Sequence, residues 1–507
     1  MYDGRPTAPA PRMGVVDLGS NSVRLVVFEG LGRNPVAVFN EKAVLRLGSG
    51  LTASGRLSEP AVAQAVTVLR RYHAIARAMG AEAFEVLATA AVRDAANGPA
   101  FAAALRAALP DVPVHVLSGT EEATLSAEGV LSGIPQAHGV LADIGGGSLE
   151  LVRLADGRAA EAATLRLGVI RLAERSGGDM VRARTLAETE LATVPFLGAM
   201  AGRDLFLVGG AWRALARIHM AQTGYPLALV HHYTIRRDEA RDLAGVVAAA
   251  GRRALERLPG LPRRRIDDLP YAALVLRRLL RATGAARVVF SANGLREGWY
   301  MRRLPPAVRA QEPLTATARD LGLGCARDPA LPPALTAWTA PLFGHETPVA
   351  ARLREAVCWL SDIGSREHPQ YRAEQAFHRI LWHPGIGLDH HARAFLAFAV
   401  AMRCNAPADA PFLMPARTLL DVGAAARAEV LGVALRLAYM LSAGTAALLE
   451  GATLVVPQAP GAERMVLRLD PARGVFDGEA IGRQLERLAS LMGLESAIET
   501  AADPVRA

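Results

Sequence analysis

Two short segments place an aspartate, a run of small residues and a hydroxyl or amide side chain at the end of an apolar stretch. Asp17-Leu18-Gly19-Ser20-Asn21-Ser22 follows residues 13–16, and Asp143-Ile144-Gly145-Gly146-Gly147-Ser148 follows residues 139–142. Glycine and serine let backbone N–H groups approach phosphate oxygens closely, and a carboxylate at a strand end can hold a divalent cation that bridges those oxygens. A single turn of this kind is also what an ordinary hairpin favours. Two copies, each followed by an alternating outbound segment (23–28 and 149–154), point to a duplicated phosphate-cradling hairpin. The copies differ chemically. Glu150 stands two residues past Ser148, so on an extended strand both side chains share a face, whereas the matching position of the first copy is Arg24. One half is suited to holding metal with Asp143 and Glu150, the other mainly to gripping phosphate.

Further groups that could do chemistry follow other apolar stretches. Residues 205–208 run into Gly209-Gly210 and then a helical segment, whose N-terminal N–H groups make a third candidate anion site. Between the two turns lie Ala88-Thr89-Ala90-Ala91-Val92-Arg93-Asp94 and Leu117-Ser118-Gly119-Thr120-Glu121-Glu122-Ala123. An arginine just past a strand end can clamp a phosphoryl group bidentately and stabilise charge that develops on it. Paired glutamates opening a helix can complement its dipole, or one of them can orient and deprotonate water. The chain has neither a P-loop with its lysine nor a G-x-G-x-x-G after a strand, which argues against those nucleotide-binding folds.

The elements that must position these groups read as α/β. Residues 15–37 are expected as strands, 59–79 as a helix, 84–89 as a strand, 99–109 as a helix and 114–117 as a strand. After the second turn come strands at 150–153 and 164–167, helices through 182–201 and a buried strand at 205–208. Two related halves imply a cleft between them. With 507 residues, about two to four domains are expected. They are a disordered tail at 1–12, an α/β domain at 13–138, a second at 139–305 and a helical region at 306–507. The last ends in a hairpin (452–456 and 465–469) and a helix (478–492). A formal charge of +8 and a pI near 9.9, supplied mostly by arginine, favour polyanionic partners. Cys325, Cys358 and Cys404 are too dispersed for a disulfide framework or zinc ribbon, so a reducing cytoplasm is expected. The most apolar stretch, 430–449, is interrupted by Arg436 and reads as a buried helix, not a membrane span.

Together, residues 15–27, 88–94, 118–123, 143–150, 208–216 and Ser291-Ala292-Asn293-Gly294-Leu295-Arg296-Glu297-Gly298 resemble the exopolyphosphatase and guanosine pentaphosphate phosphohydrolase (Ppx/GppA) family. The resemblance implies two actin-like, ribonuclease-H-like domains with the active site between them, followed by a mainly α-helical, HD-like region. It also implies Mg2+-dependent hydrolysis of a terminal phosphoanhydride. Carried over by position, Glu122 is the general base and Arg93 contacts the phosphate being cleaved. Asp143 and Glu150, with Asp17 as a third, are the magnesium-associated carboxylates. Ser20, Asn21, Ser22, Gly145, Gly146, Gly147, Ser148, Gly209 and Gly210 fall on the phosphate-contacting loops. The expected partner is inorganic polyphosphate or guanosine pentaphosphate, with no nucleic acid and no membrane, and a homodimer is expected. The Arg-rich remainder favours a long polyanion. A non-catalytic polyphosphate sensor would require a damaged glutamate or metal position, and an actin-like kinase would use the same turns with ATP. In the helical region a working HD centre needs a His-Asp pair, and Ser361-Asp362 departs from it.

Overall fold

The computed structural model describes residues 11–457 and 463–500. Most of the expected N-terminal tail, residues 1–10, lies outside the described residues. Arg12, expected in that tail, instead opens a strand: its guanidinium pairs with Glu29 at 2.6 Å and donates to the Met79 carbonyl at 2.8 Å. The chain divides in sequence into two compact units between Ala310 and Gln311.

The first unit is built on two mixed sheets. Strands β1 (Arg12–Leu18), β2 (Ser22–Glu29), β3 (Val36–Val44), β4 (Ala81–Ala88) and β5 (Val114–Val116) run in the order β3-β2-β1-β4-β5. The second sheet holds β6 (Gly139–Ile144), β7 (Leu149–Ala155), β8 (Arg158–Leu165), β9 (Asp204–Val208), β10 (Tyr233–Arg236) and β11 (Arg287–Phe290), in the order β10-β11-β9-β6-β7-β8. Apart from the antiparallel edge strand β10, it repeats the first sheet: an antiparallel three-strand meander, then parallel strands added on the far side. The fold is thus two actin-like α/β halves, with a helical region beyond them. Strands β1 and β6 are buried along most of their length and read as continuous apolar runs, as expected where helices cover both faces.

The duplicated turns link β1 to β2 and β6 to β7, and they close with the same hydrogen bond. The Gly19 N–H donates to the Ser22 carbonyl at 3.1 Å, and the Gly145 N–H to the Ser148 carbonyl at 3.0 Å. Cross-strand register sets Asp17 opposite Arg24 and Asp143 opposite Glu150. Directly opposed residues share a sheet face, so the second pair brings two carboxylates side by side.

Several elements differ from the sequence expectation for local reasons. The strand expected at 164–167 begins earlier, at Arg158, and ends at Leu165. A short helix, Val169–Ser176, follows where none was expected. Gly168 permits it, because a Cβ there would stand 2.3 Å from the Ser148 nitrogen. The helical stretch expected at 182–201 is the helix Met180–Leu191 and then a 3-10 turn, Pro195–Met200; Pro195 biases Val194 toward an extended backbone.

In the second unit the apolar helix is Val422–Ser442, ending where Ala443 and Gly444 adopt φ of 50° and 82°. The expected hairpin forms from β12 (Ala452–Val455) and β13 (Arg464–Leu469). The helix Glu479–Leu491 then returns the chain to an unexpected β14 (Glu495–Thr500), parallel to β13. Among the described residues no helix is long and apolar enough to cross a membrane.

The helix Gly119–Gly133 crosses the helix Leu295–Arg303 at backbone contact. A Cβ on Gly129 would lie 2.0 Å from the Gly294 carbonyl oxygen, and one on Gly298 would lie 1.9 Å from that of Leu125. Neither neighbour is a movable side-chain tip. Gly298→Ala is therefore expected to destabilise the protein by about 2 kcal/mol or more, read as a lowered midpoint in urea unfolding. An unchanged midpoint would show that the crossing has slack.

Candidate active site

The side chains that could do chemistry converge on one cleft of about 150 Å³ in the first unit. Ser118 caps the helix Gly119–Gly133 and sorts its two glutamates. The Ser118 N–H donates to Glu121 Oε2 at 2.8 Å while the Glu121 N–H donates to Ser118 Oγ at 3.2 Å, a reciprocal cap that holds Glu121 at the exposed surface. Glu122, one residue on, turns into the cleft. Arg93 Nη1 donates to Glu122 Oε2 at 2.8 Å and to the Leu117 carbonyl at 3.1 Å, and Arg93 Nε reaches Asp94 at 3.2 Å. Asp94 in turn pairs with Arg171 at 2.8 Å. Arg93 thus stands behind the glutamate and is not among the residues lining the cavity.

Asp17, Asp143 and Glu150 join Glu122 in the lining. Burial pushes Glu122 up to about 7; Arg93 opposes the shift, and Asp143 and Asp17 add to it. Glu150 is raised well above the usual carboxylate range by burial, then by Glu122 and Asp143. Burial also raises Asp143, against a hydrogen bond from the Ser126 hydroxyl, and it raises Asp17 against Arg296, Arg24 and Lys42. Oε1 of Glu150 is buried with no hydrogen-bond partner among the described residues. Four crowded, desolvated carboxylates with an orphaned oxygen fit a hard divalent cation. Among the described residues no three His, Cys, Asp or Glu form a ready-made metal cage. Magnesium commonly takes only one or two carboxylates and completes its shell with water and substrate phosphates, which agrees with this arrangement.

The lining also holds five cations, Arg24, Lys42, Arg213, Arg265 and Arg296. Burial brings Arg24 and Arg213 each to about 10, with Arg296 the next cause in both. Lys42 falls to about 7 through burial and then Arg265, Arg264, Arg24 and Arg213. Arg265 lies directly over the glycine pair, since a Cβ on Gly210 would meet its Nη2 at 2.2 Å, and it is anchored by Asp268 at 3.0 Å.

The sequence-derived residues Ser20, Asn21, Ser22, Gly145, Gly146, Gly147, Ser148, Gly209 and Gly210 all line this cleft. The Asn21 amide also donates to Asp268 at 3.3 Å, tying the first turn to the second half. The sequence reading assigned no role to Lys42, Arg213, Arg265, Arg296 or Ser126. Ser126 was recoverable, because it lies four residues after Glu122 on the same helix face. Arg296 lies within the segment 291–298, whose pattern marks the family resemblance.

In the second unit Asp362 is clamped by arginine. Arg327 Nη2 pairs with it at 2.8 Å, the Arg327 N–H donates to it at 2.9 Å, and Arg403 approaches at 3.3 Å while lying 3.7 Å from the centre of the Tyr439 ring. Burial works to raise Asp362, but these partners outweigh it and hold the carboxyl below its usual range. The histidines nearby have other uses. His378 stacks on Trp382 at 4.3 Å, and His383 accepts the Gly385 N–H at 2.9 Å.

A cleft of buried carboxylates facing cations, framed by duplicated turns on two like sheets, defines a phosphate-handling protein of actin-like fold. The model of the Ppx/GppA phosphatase family matches residues 26–307, more than half of the chain, and the chain belongs to that family. A second model, the C-terminal region of exopolyphosphatase, matches residues 314–498. The chain is similar to exopolyphosphatase 2 of Mycobacterium tuberculosis, 29% identical over 293 residues that cover 53% of this chain and 90% of the relative. It is also similar to the guanosine-5'-triphosphate,3'-diphosphate pyrophosphatase of Aeromonas hydrophila, 25% identical, covering 57% of this chain and 58% of the relative. In fold it is similar to an exopolyphosphatase from Cytophaga hutchinsonii, with a TM-score of 0.51 at 23% identity over 57% of this chain and 96% of that structure.

Removing Asp362 would leave Arg403 buried and unpaired. Asp362→Ala is expected to cost about 3 kcal/mol or more, seen as a lower unfolding midpoint of the full chain. A wild-type midpoint would mean that the two arginines need no counter-charge.

Proposed function

We propose that the chain is a magnesium-dependent exopolyphosphatase that releases orthophosphate from the end of inorganic polyphosphate. The observation that carries this reading is the make-up of the cleft, whose lining gathers four carboxylates and five cations, with Glu122 and Glu150 set among other carboxylates and Lys42 among other cations. The terminal phosphate belongs at the carboxylate end and the rest of the chain over the cations. Asp143, Glu150 and Asp17 are the residues that would hold the cation, which when bound neutralises phosphoryl oxygens and offsets the carboxylates' mutual repulsion. Glu122 accepts a proton from water as the water oxygen attacks the terminal phosphorus. The bond from that phosphorus to the bridging oxygen breaks, and the shortened chain leaves. Arg93, behind the cavity lining, fixes the Glu122 carboxylate and adds its positive charge to the field at the phosphate being cleaved. The turns around Ser20–Ser22 and Gly145–Ser148 and the Gly209-Gly210 pair supply backbone and hydroxyl donors. An inorganic chain is favoured over guanosine pentaphosphate because, among the described residues, none that lines the cleft is aromatic, so a base would find no aromatic face there. Comparing orthophosphate release from long-chain polyphosphate and from guanosine pentaphosphate, with and without magnesium, tests the reading. Release from neither substrate would overturn it.

Glu122→Gln is expected to retain polyphosphate binding and lose roughly two to four orders of magnitude in turnover, while Glu121→Gln, whose partner is only the helix cap, loses far less. Equal losses would remove the base assignment. The general base must be ionised, so wild-type activity should rise with pH through the Glu122 titration, which lies near 7 without a bound cation.

The raised carboxylates also link stability to pH. In the folded state they hold protons more tightly than in the unfolded chain, so folding is favoured at mild acid and loses that contribution as pH rises through their folded values. Magnesium should therefore raise the melting temperature more at pH 8 than at pH 5.5, and Asp143→Asn with Glu150→Gln should abolish the difference. A magnesium shift equal at both pH values, or one retained in the double variant, would take the cation away from these residues.

A further inference from the structure

Lysine occurs once in the 507 residues, at position 42, and every other long basic side chain is arginine. That single lysine lines the cleft. It stands on β3 directly opposite Arg24 of β2, while its neighbour Glu41 pairs with Arg71. Among the described residues the Lys42 ammonium has no hydrogen bond or ion pair. The charged groups acting on it are Arg24 from β2, Arg213 from the helix Gly210–Thr223, Arg264 and Arg265 from the turn Arg263–Arg265, and Asp17 from β1. A half-buried cation set mostly among cations is unfavourable for the folded protein taken alone, and an anion reaching it in the cleft would compensate it further than Asp17 does.

The residue type matters as much as the charge. A guanidinium is a planar fork that suits one oxygen pair in one plane, whereas an ammonium is a compact point charge with three rotatable donors. A phosphate chain presents oxygens from successive tetrahedral groups in no common plane, and an ammonium can bond to two neighbouring phosphates at once. A chain that uses arginine at every other such position keeps an amine here.

We propose that Lys42 is a substrate-binding, specificity-setting residue: its ammonium holds the phosphates on the leaving side of the scissile anhydride and makes the cleft select linear condensed phosphates over single phosphate groups. The proposal rests on the reading that the reacting phosphate lies at the carboxylate end. Lys42 is then expected to govern KM for condensed phosphates while orthophosphate, bound at the other end, is indifferent to it.

The sole lysine makes the test direct. Acetic anhydride at limiting concentration acetylates Lys42 as the only side-chain amine, and peptide mass spectrometry reads its rate in the full-length protein. The probes are imidotriphosphate, whose P–N–P links resist hydrolysis, and orthophosphate, both with magnesium. Imidotriphosphate is expected to slow acetylation of Lys42 about tenfold or more at saturation, as for an amine engaged in charge-assisted hydrogen bonds, and orthophosphate to change it little. Lys42→Met and Lys42→Arg should both bind imidotriphosphate at least about tenfold more weakly in calorimetry, with melting temperatures no lower than wild type and unchanged inhibition by orthophosphate. Undiminished acetylation under saturating imidotriphosphate would overturn the contact, and wild-type affinity in Lys42→Arg would overturn the requirement for an amine. Protection of Lys42 in a protein that hydrolyses no polyphosphate would sink the proposed activity and leave this site standing. Hydrolysis with wild-type KM in Lys42→Met would do the reverse.

Discussion

Four carboxylates held together away from bulk water repel one another, and the surrounding structure is arranged around that repulsion. Glu122 is steadied by Arg93, Asp143 by Ser126, and Asp17 by the fields of Arg296, Arg24 and Lys42. None of these partners quenches the cluster, since all four groups remain raised by burial. The site therefore stores an unfavourable interaction that a positive charge entering the cleft would relieve. Binding sites of this kind are costly to the folded protein alone and favourable only when loaded, in keeping with local conflict being concentrated where function is.

Duplication explains how such a cluster is assembled. Each half offers an aspartate at the end of its first strand and a small-residue turn closed by the same hydrogen bond, so the two turns face the cleft as equivalent parts. The cross-strand partner of each aspartate then breaks the equivalence. Opposite Asp17 stands Arg24, and opposite Asp143 stands Glu150. One difference of charge at one register position thus makes the two turns chemically unequal, with an acid–base pair beside one and two acids beside the other.

Much of this arrangement was legible before folding. Strand, turn and strand around Asp17 and Asp143 announced themselves through apolar runs meeting glycine and serine, and the Ser118, Glu121 and Glu122 spacing announced a helix start. What the sequence hid were contacts between distant segments. Arg213 and Arg265 join the cleft only because the helix Gly210–Thr223 and the turn beside Asp268 fold toward it, which no local pattern encodes. The helix Val169–Ser176 was missed because its eight residues are too few for periodicity to stand out, and β14 because a strand after the last helix needs β13 to exist. Lys42 needed no structure to be noticed as a solitary residue type, yet only the fold showed where it points. The arginine clamp on Asp362 was likewise unreadable, because its members are spread over residues 327 to 403.

The close crossing of the helices Gly119–Gly133 and Leu295–Arg303 has a consequence for the order of assembly. The helix that carries Glu122 is seated against a segment that follows it by more than 150 residues, and the two glycines leave no room for a looser intermediate register. Contacts of such sequence separation form late, after the loop-closure entropy of the intervening chain has been overcome. An emerging polypeptide that has completed its first sheet and its first small-residue turn still lacks the surface that sets the pitch of the Glu122 helix. Assembly of the cleft in this unit thus waits for the finished fold, and a truncated or stalled chain would retain the small-residue turns without an oriented Glu122.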